Sequence, residues 1–281
     1  MADTLLDRQS PTLSVIIPMF NESARIGPTL RDALATMPDF EFTTELIVVD
    51  DGSRDRSADF VTRLLHDNPP RGRCLDARLV AHAANRGKGA AVRTGLGMSH
   101  GHWKLFMDAD NAVPVREAPR LLALAQHEDV SMVIGSRRAP GAVVEARAHR
   151  RAAGLLFRVA LWLMRMPLAR DTQCGFKLYR RDLADMLIVH AREDGFAFDI
   201  EHLALTRLAG HRWIETGVPW VHQAGGTVSP VRDGLRMLAQ VARIRRRLRT
   251  LQIEPPEPPL APDIVIARSA MTQIPAQTST P

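Results

Sequence analysis

The first half of the chain alternates between continuous apolar runs and segments with helical periodicity. Residues 13–17 (LSVII) and 46–49 (LIVV) are largely aliphatic, which is the pattern of strands buried on both faces. After each run, apolar residues recur three and four positions apart, starting at Ile26 and at Ala58, which predicts amphipathic helices. This alternation predicts an α/β fold with a mostly parallel central sheet and helices on both faces.

The same periodicities extend along the rest of the chain. In the first half they predict strands at 79–81, at 131–134 and in a run that ends at Met107, with helices around 92–96 and 121–124. In the second half they predict helices at about 149–166, 182–189, 199–208 and 231–251, an edge strand at 213–216, and a compact polar turn at 171–177.

Polar side chains stand at the carboxyl ends of four predicted strands. In parallel sheets, ligands bind outside the carboxyl ends of the strands, so these side chains are expected to converge. An isolated Asp-x-Asp most often marks a solvated turn, and this convergence is what makes a binding site an equal alternative. The four groups are Asn21 with Glu22, Asp50 with Asp51, the loop 85–89 (NRGKG), and Asp108 with Asp110.

Asp108 and Asp110 are the candidates for binding a cation. Side chains two residues apart in a strand point to the same face, so both carboxylates can reach one ion. Mg²⁺ prefers such oxygen ligands, with phosphates and water completing its shell. Lys88 does not belong to a Walker-type phosphate loop, because Gly89 follows it where Ser or Thr is required. Lys88 therefore either contacts a donor phosphate or ribose, or projects into solvent.

Composition favours an anionic partner and an intracellular setting. The chain of 281 residues is 45% hydrophobic, carries a formal charge of +6 and has a pI near 10.2, so nucleic acid, acidic lipid or a phosphorylated small molecule is expected to bind. Cys74 and Cys174 lack metal or redox spacing, which indicates a reducing, cytoplasmic compartment. The longest apolar stretch, 152–166, is interrupted by Arg158 and Arg165 and is too short to span a bilayer.

Two groups of arginines follow the predicted sheet. Arginine binds phosphate bidentately and stays charged, so the first group suits an anionic acceptor, although part of it is expected to be a solvated helix face. The arginines that end the last predicted helix favour an anionic membrane surface over nucleic acid, since no nucleic-acid-binding motif accompanies them. The first group is Arg137, Arg138, Arg147, Arg150 and Arg151, and the second is Arg243, Arg245, Arg246, Arg247 and Arg249.

Several ordered motifs, taken together, resemble one enzyme family. The motifs at 15–18 (VIIP), 48–53 (VVDDGS), 85–89 (NRGKG) and 108–110 (DAD) are similar to those of the inverting family-2 glycosyltransferases. Within that family, the motifs at 135–137 (GSR), 171–177 (DTQCGFK), 198–201 (FDIE) and 218–220 (VPW) resemble the dolichyl-phosphate β-glucosyltransferase branch of polyprenyl-phosphate glycosyltransferases. The resemblance extends from about residue 13 to residue 249.

The resemblance implies a Rossmann-like GT-A fold, a nucleoside diphosphate sugar as donor, and Mg²⁺ or Mn²⁺ held by Asp108 and Asp110. It assigns donor binding to Pro18, Asn21, Glu22, Asp50, Asp51, Gly87, Lys88, Asp108, Ala109 and Asp110. It assigns acceptor binding to Arg137, Arg147, Arg151, Gln173 and Lys177. Asp108, Asp110, Arg137 and Asp199 are the predicted catalytic residues.

The leading hypothesis is transfer of a hexose, glucose from UDP-glucose, to a polyprenyl or dolichyl phosphate. A second keeps the enzyme but replaces the lipid by a soluble or glycan hydroxyl, which would need Asp199 or Glu201 as a base. A third is a nucleotide-sugar-binding membrane scaffold without catalysis. A polar leader at 1–12 replaces the membrane anchor of the eukaryotic branch, so peripheral contact on the cytoplasmic face is expected.

The sequence also predicts how the chain is divided. One catalytic domain is expected at 13–251, with a nucleotide-sugar-binding half at 13–135 and an acceptor- and membrane-facing half at 136–251. The proline-rich tail at 252–281 is expected to be disordered.

Overall fold

A seven-stranded, mostly parallel sheet forms the centre of the protein. The computed structural model describes residues 10–144, 161–162, 164–166, 169–221 and 230–253. The strands of this sheet are β1 (Leu13–Met19), β2 (Thr44–Asp50), β3 (Cys74–Ala81), β4 (Trp103–Met107), β5 (Met132–Ser136), β7 (Phe176–Arg180) and β8 (Trp213–Gly217), in the order β3-β2-β1-β4-β7-β5-β8. Two short strands, β6 (Val143–Val144) and β9 (Pro219–Trp220), pair in parallel beside it.

Helices cover both faces of the sheet, as the alternating pattern predicts. They are α1 (Ile26–Thr36), α2 (Ser57–Asp67), α3 (Lys88–Met98), α4 (Ala118–His127), α5 (Arg181–His190), α6 (Phe198–Leu208) and α7 (Pro230–Leu248). Side chains that alternate along β1 serve the two faces in turn: Val15 and Ile17 pack with α1, α2 and α4, whereas Ile16 packs with α3, α5 and α6. The predicted fold class is confirmed.

β7 is antiparallel to both of its neighbours, β4 and β5. The sequence predicts only a polar turn at 171–177, and that prediction is wrong at its last two residues, because β7 begins at Phe176. The strand is difficult to recognise because Lys177 interrupts its apolar pattern, yet this lysine is fully buried. Since β7 starts where β4 ends, its first residues lie at the carboxyl edge of the sheet.

The remaining elements lie close to their predicted positions. β8 is an edge strand, as expected, and β3 begins five residues before its predicted start. Leu251 and Ile253 pack against the core, so the packed chain continues to the last described residue. The predicted helix at 149–166 falls mostly on residues outside the described ranges. Within the described residues, no helix is long and apolar enough to cross a membrane.

Candidate active site

Asp108 and Asp110 follow β4, next to the point where the strand order reverses between β1 and β4. The Lys88 ammonium group lies 2.6 Å from Asp108 Oδ1. Burial opposes ionisation of Asp108, but the charges of Lys88, Lys177 and Arg137 hold the pKa of its carboxyl below the usual value. Burial and the charge of Asp108 raise the pKa of Asp110. The pair therefore combines a carboxylate that is held ionised, Asp108, with one that forms no ion pair with another described residue, Asp110.

Lys88 begins α3 and points into the site. Its Nζ also lies 5.3 Å from the centre of the Phe106 ring and 6.0 Å from that of Phe196, within the range of cation–π attraction. Burial alone would lower the pKa of Lys88, but the charges of Asp108 and Asp199 raise it. Of the two sequence-based alternatives, projection into solvent does not describe this lysine.

The loop after β1 reaches the same place. Asn21 has φ +54°, and its Oδ1 accepts a hydrogen bond from Arg54 N at 2.8 Å, which ties this loop to the one after β2. Glu22 binds the Arg25 guanidinium at 2.7 and 2.5 Å. Burial raises the pKa of Glu22 despite Arg25, and the nearby carboxylate of Asp110 adds to the effect. Glu22 thus faces the aspartate pair with its own cation attached.

Pro18 is buried in β1 and does not project from it. A proline cannot donate to a sheet ladder, but the pairing of β1 with β4 ends at Ile16, before Pro18 is reached. Ala109 contributes its backbone: the carbonyl oxygen accepts a hydrogen bond from Thr29 Oγ1 at 2.6 Å. Both residues therefore shape the site.

Asp50 and Asp51 end β2 but have different surroundings. Asp50 Oδ1 accepts hydrogen bonds from Ser53 N at 3.1 Å and Ser53 Oγ at 2.5 Å. Asp51 accepts hydrogen bonds from Asn85 Nδ2 at 2.9 Å and from the backbone N–H groups of the next two residues at 2.9 and 2.7 Å, and its Oδ1 lies 2.7 Å from His82 Nδ1. The predicted donor contact of Asp51 is therefore replaced by a structural role, because its oxygens hold the loop at 85–87.

Gly87 supports the start of α3 and has φ +110°. A Cβ at this position would lie 2.3 Å from the carbonyl oxygen of Asp194, and the same oxygen accepts a hydrogen bond from Gly89 N at 2.7 Å. The loop between α5 and α6 thus packs directly on the segment that positions Lys88. The sequence carried no signal for this contact.

Gly175 provides the space that Asp108 occupies. Asp108 N donates to the Gly175 carbonyl oxygen at 2.9 Å, and a Cβ on Gly175 would lie 1.8 Å from Asp108 Oδ2. The turn before β7 and Lys88 therefore both hold Asp108 in place. Any side chain at position 175 would displace Asp108.

Lys177 and Asp199 form a buried ion pair beneath the site. Lys177 is fully buried, donates to the Cys174 carbonyl oxygen at 2.7 Å, and pairs with Asp199. Burial raises the pKa of Asp199, against the opposing charges of Lys177 and Lys88. The predicted acceptor contact by Lys177 is not possible in this arrangement, because the ammonium group is enclosed and paired.

Asp199 and Glu201 are therefore not placed as general bases. Asp199 forms the buried ion pair with Lys177. Glu201 is buried, accepts hydrogen bonds from Arg192 N and Glu193 N at 2.9 and 2.7 Å, and pairs with Arg247 of α7 at 2.5 Å. Asp199 thus joins α6 to β7, and Glu201 joins α6 to the loop after α5 and to α7.

Arg137, after β5, is held by a carboxylate and an aromatic ring. Its Nε and Nη2 donate to the two oxygens of Asp171 at 2.7 and 2.8 Å, and its guanidinium carbon lies 5.5 Å from the centre of the Trp220 ring. Asp171 opposes the effect of burial and raises the pKa of Arg137. The sequence predicts Arg137 as a phosphate ligand but gave no sign of this clamp, whose partners lie 34 and 83 positions further along the chain.

The other predicted acceptor residues are more dispersed. Gln173 is half-buried, and its Nε2 lies 3.3 Å from Met237 Sδ on α7. Arg147 and Arg151 lie outside the described residues. The structure thus brings together the predicted donor side at the ends of β1, β2 and β4, while of the predicted acceptor side it describes Arg137, Gln173 and Lys177.

Comparison with known proteins agrees with this geometry. The model of glycosyl transferase family 2 matches residues 14–187, more than half of the chain. The chain belongs to glycosyl transferase family 2. Its relatives include the dolichyl-phosphate β-glucosyltransferases of Dictyostelium discoideum, 30% identical over 87% of this chain and 78% of the relative, and of Drosophila melanogaster, 34% identical over 83% and 74%.

A solved structure shows the same fold as this family-2 glycosyltransferase. It is the glucosyl-3-phosphoglycerate synthase of Mycobacterium tuberculosis in complex with Mn²⁺, UDP and phosphoglyceric acid. The TM-score is 0.63 at 22% identity, and the match covers 88% of this chain and 82% of the solved one. The prediction that the chain is a glycosyltransferase is confirmed by the family assignment.

The two aspartates that end β2 are expected to differ in their effect on stability. In Asp51→Ala, the donors of the loop at 85–87 lose their buried acceptor, so we expect the free energy of unfolding to fall by about 2–4 kcal/mol. Among the described residues, the Asp50 side chain accepts hydrogen bonds from Ser53 only, so Asp50→Ala is expected to cost clearly less. Urea unfolding of both variants measures the difference, and equal losses would contradict the structural role of Asp51.

Removing one member of the buried ion pair is expected to cost more than removing both. Lys177→Met leaves Asp199 without its partner and should destabilise the enzyme by about 3–5 kcal/mol. Lys177→Met combined with Asp199→Leu replaces the pair by apolar side chains and should recover part of that loss. The measurement is a double-mutant cycle of urea unfolding, and strictly additive losses would argue against the pair.

Gly175→Ala should displace Asp108 and destabilise the enzyme by about 1–3 kcal/mol, because the added methyl group overlaps the carboxylate. Gly97→Ala is the matched control, since a Cβ there meets nothing within 4 Å and alanine favours the α3 helix by about 0.5–1 kcal/mol. Thermal unfolding compares the two. A Gly175→Ala enzyme as stable as the Gly97→Ala enzyme would show that Asp108 is not confined in this way.

Proposed function

We propose that this enzyme transfers glucose from UDP-glucose to a polyprenyl phosphate, with inversion and with Mg²⁺ or Mn²⁺. The observation that carries the proposal is the placement of Asp108, Asp110 and Lys88 at the carboxyl edge of the sheet, beside the loops that follow β1 and β2. Relatives at 30% and 34% identity that are named for glucosyl transfer to dolichyl phosphate support the choice of sugar and acceptor.

On the donor side, we place the nucleoside against the ends of β1 and β2. The Asp50 carboxylate would accept hydrogen bonds from the base or ribose through Oδ2, since Ser53 already donates to Oδ1. Lys88 would bind a donor phosphate, because its ammonium group lies beside the aspartates that the diphosphate would approach. In this role the Lys88 ammonium group would donate to a donor phosphate as well as, or in place of, Asp108 Oδ1.

The residues present suit a hard divalent cation. Asp108 and Asp110 offer carboxylate oxygens, and Asn111 Oδ1 is a buried oxygen without a hydrogen-bond partner in the described ranges. No group of three or more His, Cys, Asp and Glu side chains able to hold a metal occurs in that part of the chain, so donor phosphates and water would complete the shell. When bound, the metal stabilises charge on the departing nucleoside diphosphate.

On the acceptor side, a phosphate is favoured over a hydroxyl group. A phosphate monoester is already largely ionised at neutral pH and needs no general base. Asp199 and Glu201, the two candidate bases, are buried in other contacts. Arg137 would hold the acceptor phosphate through Nη1, since Asp171 accepts hydrogen bonds from Nε and Nη2. Because the acceptor carries a lipid, we further propose that the enzyme works at the cytoplasmic face of a membrane.

Activity should be demonstrated by transfer of labelled glucose into a lipid product. Purified enzyme with UDP-[¹⁴C]glucose, Mg²⁺ and undecaprenyl or dolichyl phosphate is expected to yield label soluble in organic solvent. EDTA should abolish this product, and Asp110→Asn should lower the rate by roughly a hundredfold or more, because metal stabilisation of the leaving group is worth several kcal/mol.

Two outcomes would contradict the proposal. If none of the common nucleotide sugars labels either lipid, the lipid acceptor is wrong. If label instead enters a soluble hydroxyl compound, and Asp199→Asn abolishes this transfer while donor binding and thermal stability are retained, a base-dependent reaction replaces the proposed one. Asp59→Asn, on the exposed face of α2, is the matched control and should leave transfer unchanged.

A further inference from the structure

A groove between the C-terminal ends of α6 and α7 is not used by the proposed reaction. Its volume is about 530 Å³, and it is lined in part by the turn at 164–166. The opposite end of α6 is the one near the active site, where Phe198 packs against Phe106 with ring centres 5.7 Å apart. Arg207, in the groove, lies nine positions after Phe198, which corresponds to about 14 Å along the helix.

The groove has a basic rim and an apolar floor. Ala204, Arg207 and Leu208 recur on α6 at the spacing of one helix face. Arg245 and Leu248 lie in the last turn of α7, and Arg249 follows directly after its end. Arg165 and Met166 close the third side. Four guanidinium groups therefore surround a surface built from Met166, Ala204, Leu208 and Leu248.

The rim arginines have no anionic partner in the described part of the chain. Arg165, Arg207 and Arg249 are exposed, and neither they nor Arg245 form an ion pair or side-chain hydrogen bond with the residues of that part. Arg247, in the same turn of α7, differs because it is neutralised by Glu201 at 2.5 Å and also donates to the His190 carbonyl oxygen at 2.9 Å. The rim of the groove therefore carries four arginines whose charge no other described residue compensates.

Exposed apolar side chains beside the arginines indicate that an anion bound in the groove belongs to a lipid and is not a free phosphate ion. Trp162 is 65% exposed, and its carbonyl oxygen accepts the backbone hydrogen bond of Arg165 at 2.9 Å, so the two lie in one turn. Leu208, on the floor, is 41% exposed. Tryptophan with arginine is the combination typical of the interface between membrane and water, whereas a free phosphate would gain nothing from an apolar floor.

We propose that this groove binds the phosphate headgroup of an anionic phospholipid and thereby docks the enzyme on the membrane. The arginines bind the phosphate oxygens, and the apolar floor receives the first part of the lipid chain. Trp162 enters the interface next to it. This proposal rests on the proposed function, because docking on a membrane serves the enzyme only if its acceptor lies there. Lipid binding itself requires neither the sugar donor nor catalytic turnover.

The test compares two double variants with the same loss of charge on the same surface. Arg207→Gln with Arg249→Gln removes half of the rim, whereas Arg243→Gln with Arg246→Gln removes two exposed arginines of α7 that do not line the groove. Vesicles of phosphatidylcholine, alone or with about a third of phosphatidylglycerol, are sedimented with each protein. If the protein bound only by diffuse charge attraction, both variants would lose the same affinity, since each basic residue contributes about the same near an anionic surface.

We expect binding only to the vesicles that contain phosphatidylglycerol, and a loss of affinity about tenfold larger for the groove variant than for the control variant. Millimolar inorganic phosphate should not displace the enzyme. Equal losses in the two variants, equal binding to neutral vesicles, or displacement by inorganic phosphate would each overturn the proposal. Thermal unfolding should be unchanged in both variants, because the four substituted side chains are exposed.

Transfer to polyprenyl phosphate in detergent micelles separates this proposal from the proposed function. The groove variant should retain the activity of the unmodified enzyme there, since no vesicle is needed. A loss of transfer in detergent confined to the groove variant would assign the groove to the acceptor and overturn the proposal. If the unmodified enzyme shows no transfer but binds vesicles through the groove, the proposed function fails and the lipid site stands.

Discussion

The contact between Lys88 and Asp108, 2.6 Å apart, is the interaction on which the rest of the site depends. A second ammonium group, that of the fully buried Lys177, also stabilises the Asp108 carboxylate by its charge and is itself paired with Asp199. Charges in such surroundings are tolerated only when each has a partner, since an unpaired buried charge costs several kcal/mol. Asp110 forms no ion pair with another described residue, and its carboxylate could therefore bind an added divalent ion.

The antiparallel strand β7 is what connects the two halves of the chain at this point. Because β7 runs against β4, its first residues meet the last residues of β4, and Gly175 comes to lie against Asp108. Lys177 then points from β7 towards α6, where Asp199 is found. A parallel strand in this position would present its opposite end to the site, and the second half of the chain would supply neither residue.

The elements that carry the proposed donor, acceptor and membrane contacts are joined by further charged pairs. Glu201 links α6 to the loop after α5 and to Arg247 of α7, while Arg137 and Asp171 hold the segments after β5 and before β7 together. The two ends of helix α6 thus contribute to two different sites. Its first turn packs on the site, and its last turn forms the arginine groove with α7.

The sequence by itself determined the alternation of strands and helices, and it identified Asp50, Asp108 and Asp110 at strand ends and Lys88 in the loop after the third strand. Both follow from short-range information, since periodicity and the order of motifs are properties of neighbouring residues. It did not reveal that Asp51 is occupied by the loop at 85–87, that Lys177 is buried, or that Arg137 is held by Asp171. Only the tertiary structure decided these points, because a charged side chain's role depends on its burial and on partners distant in sequence.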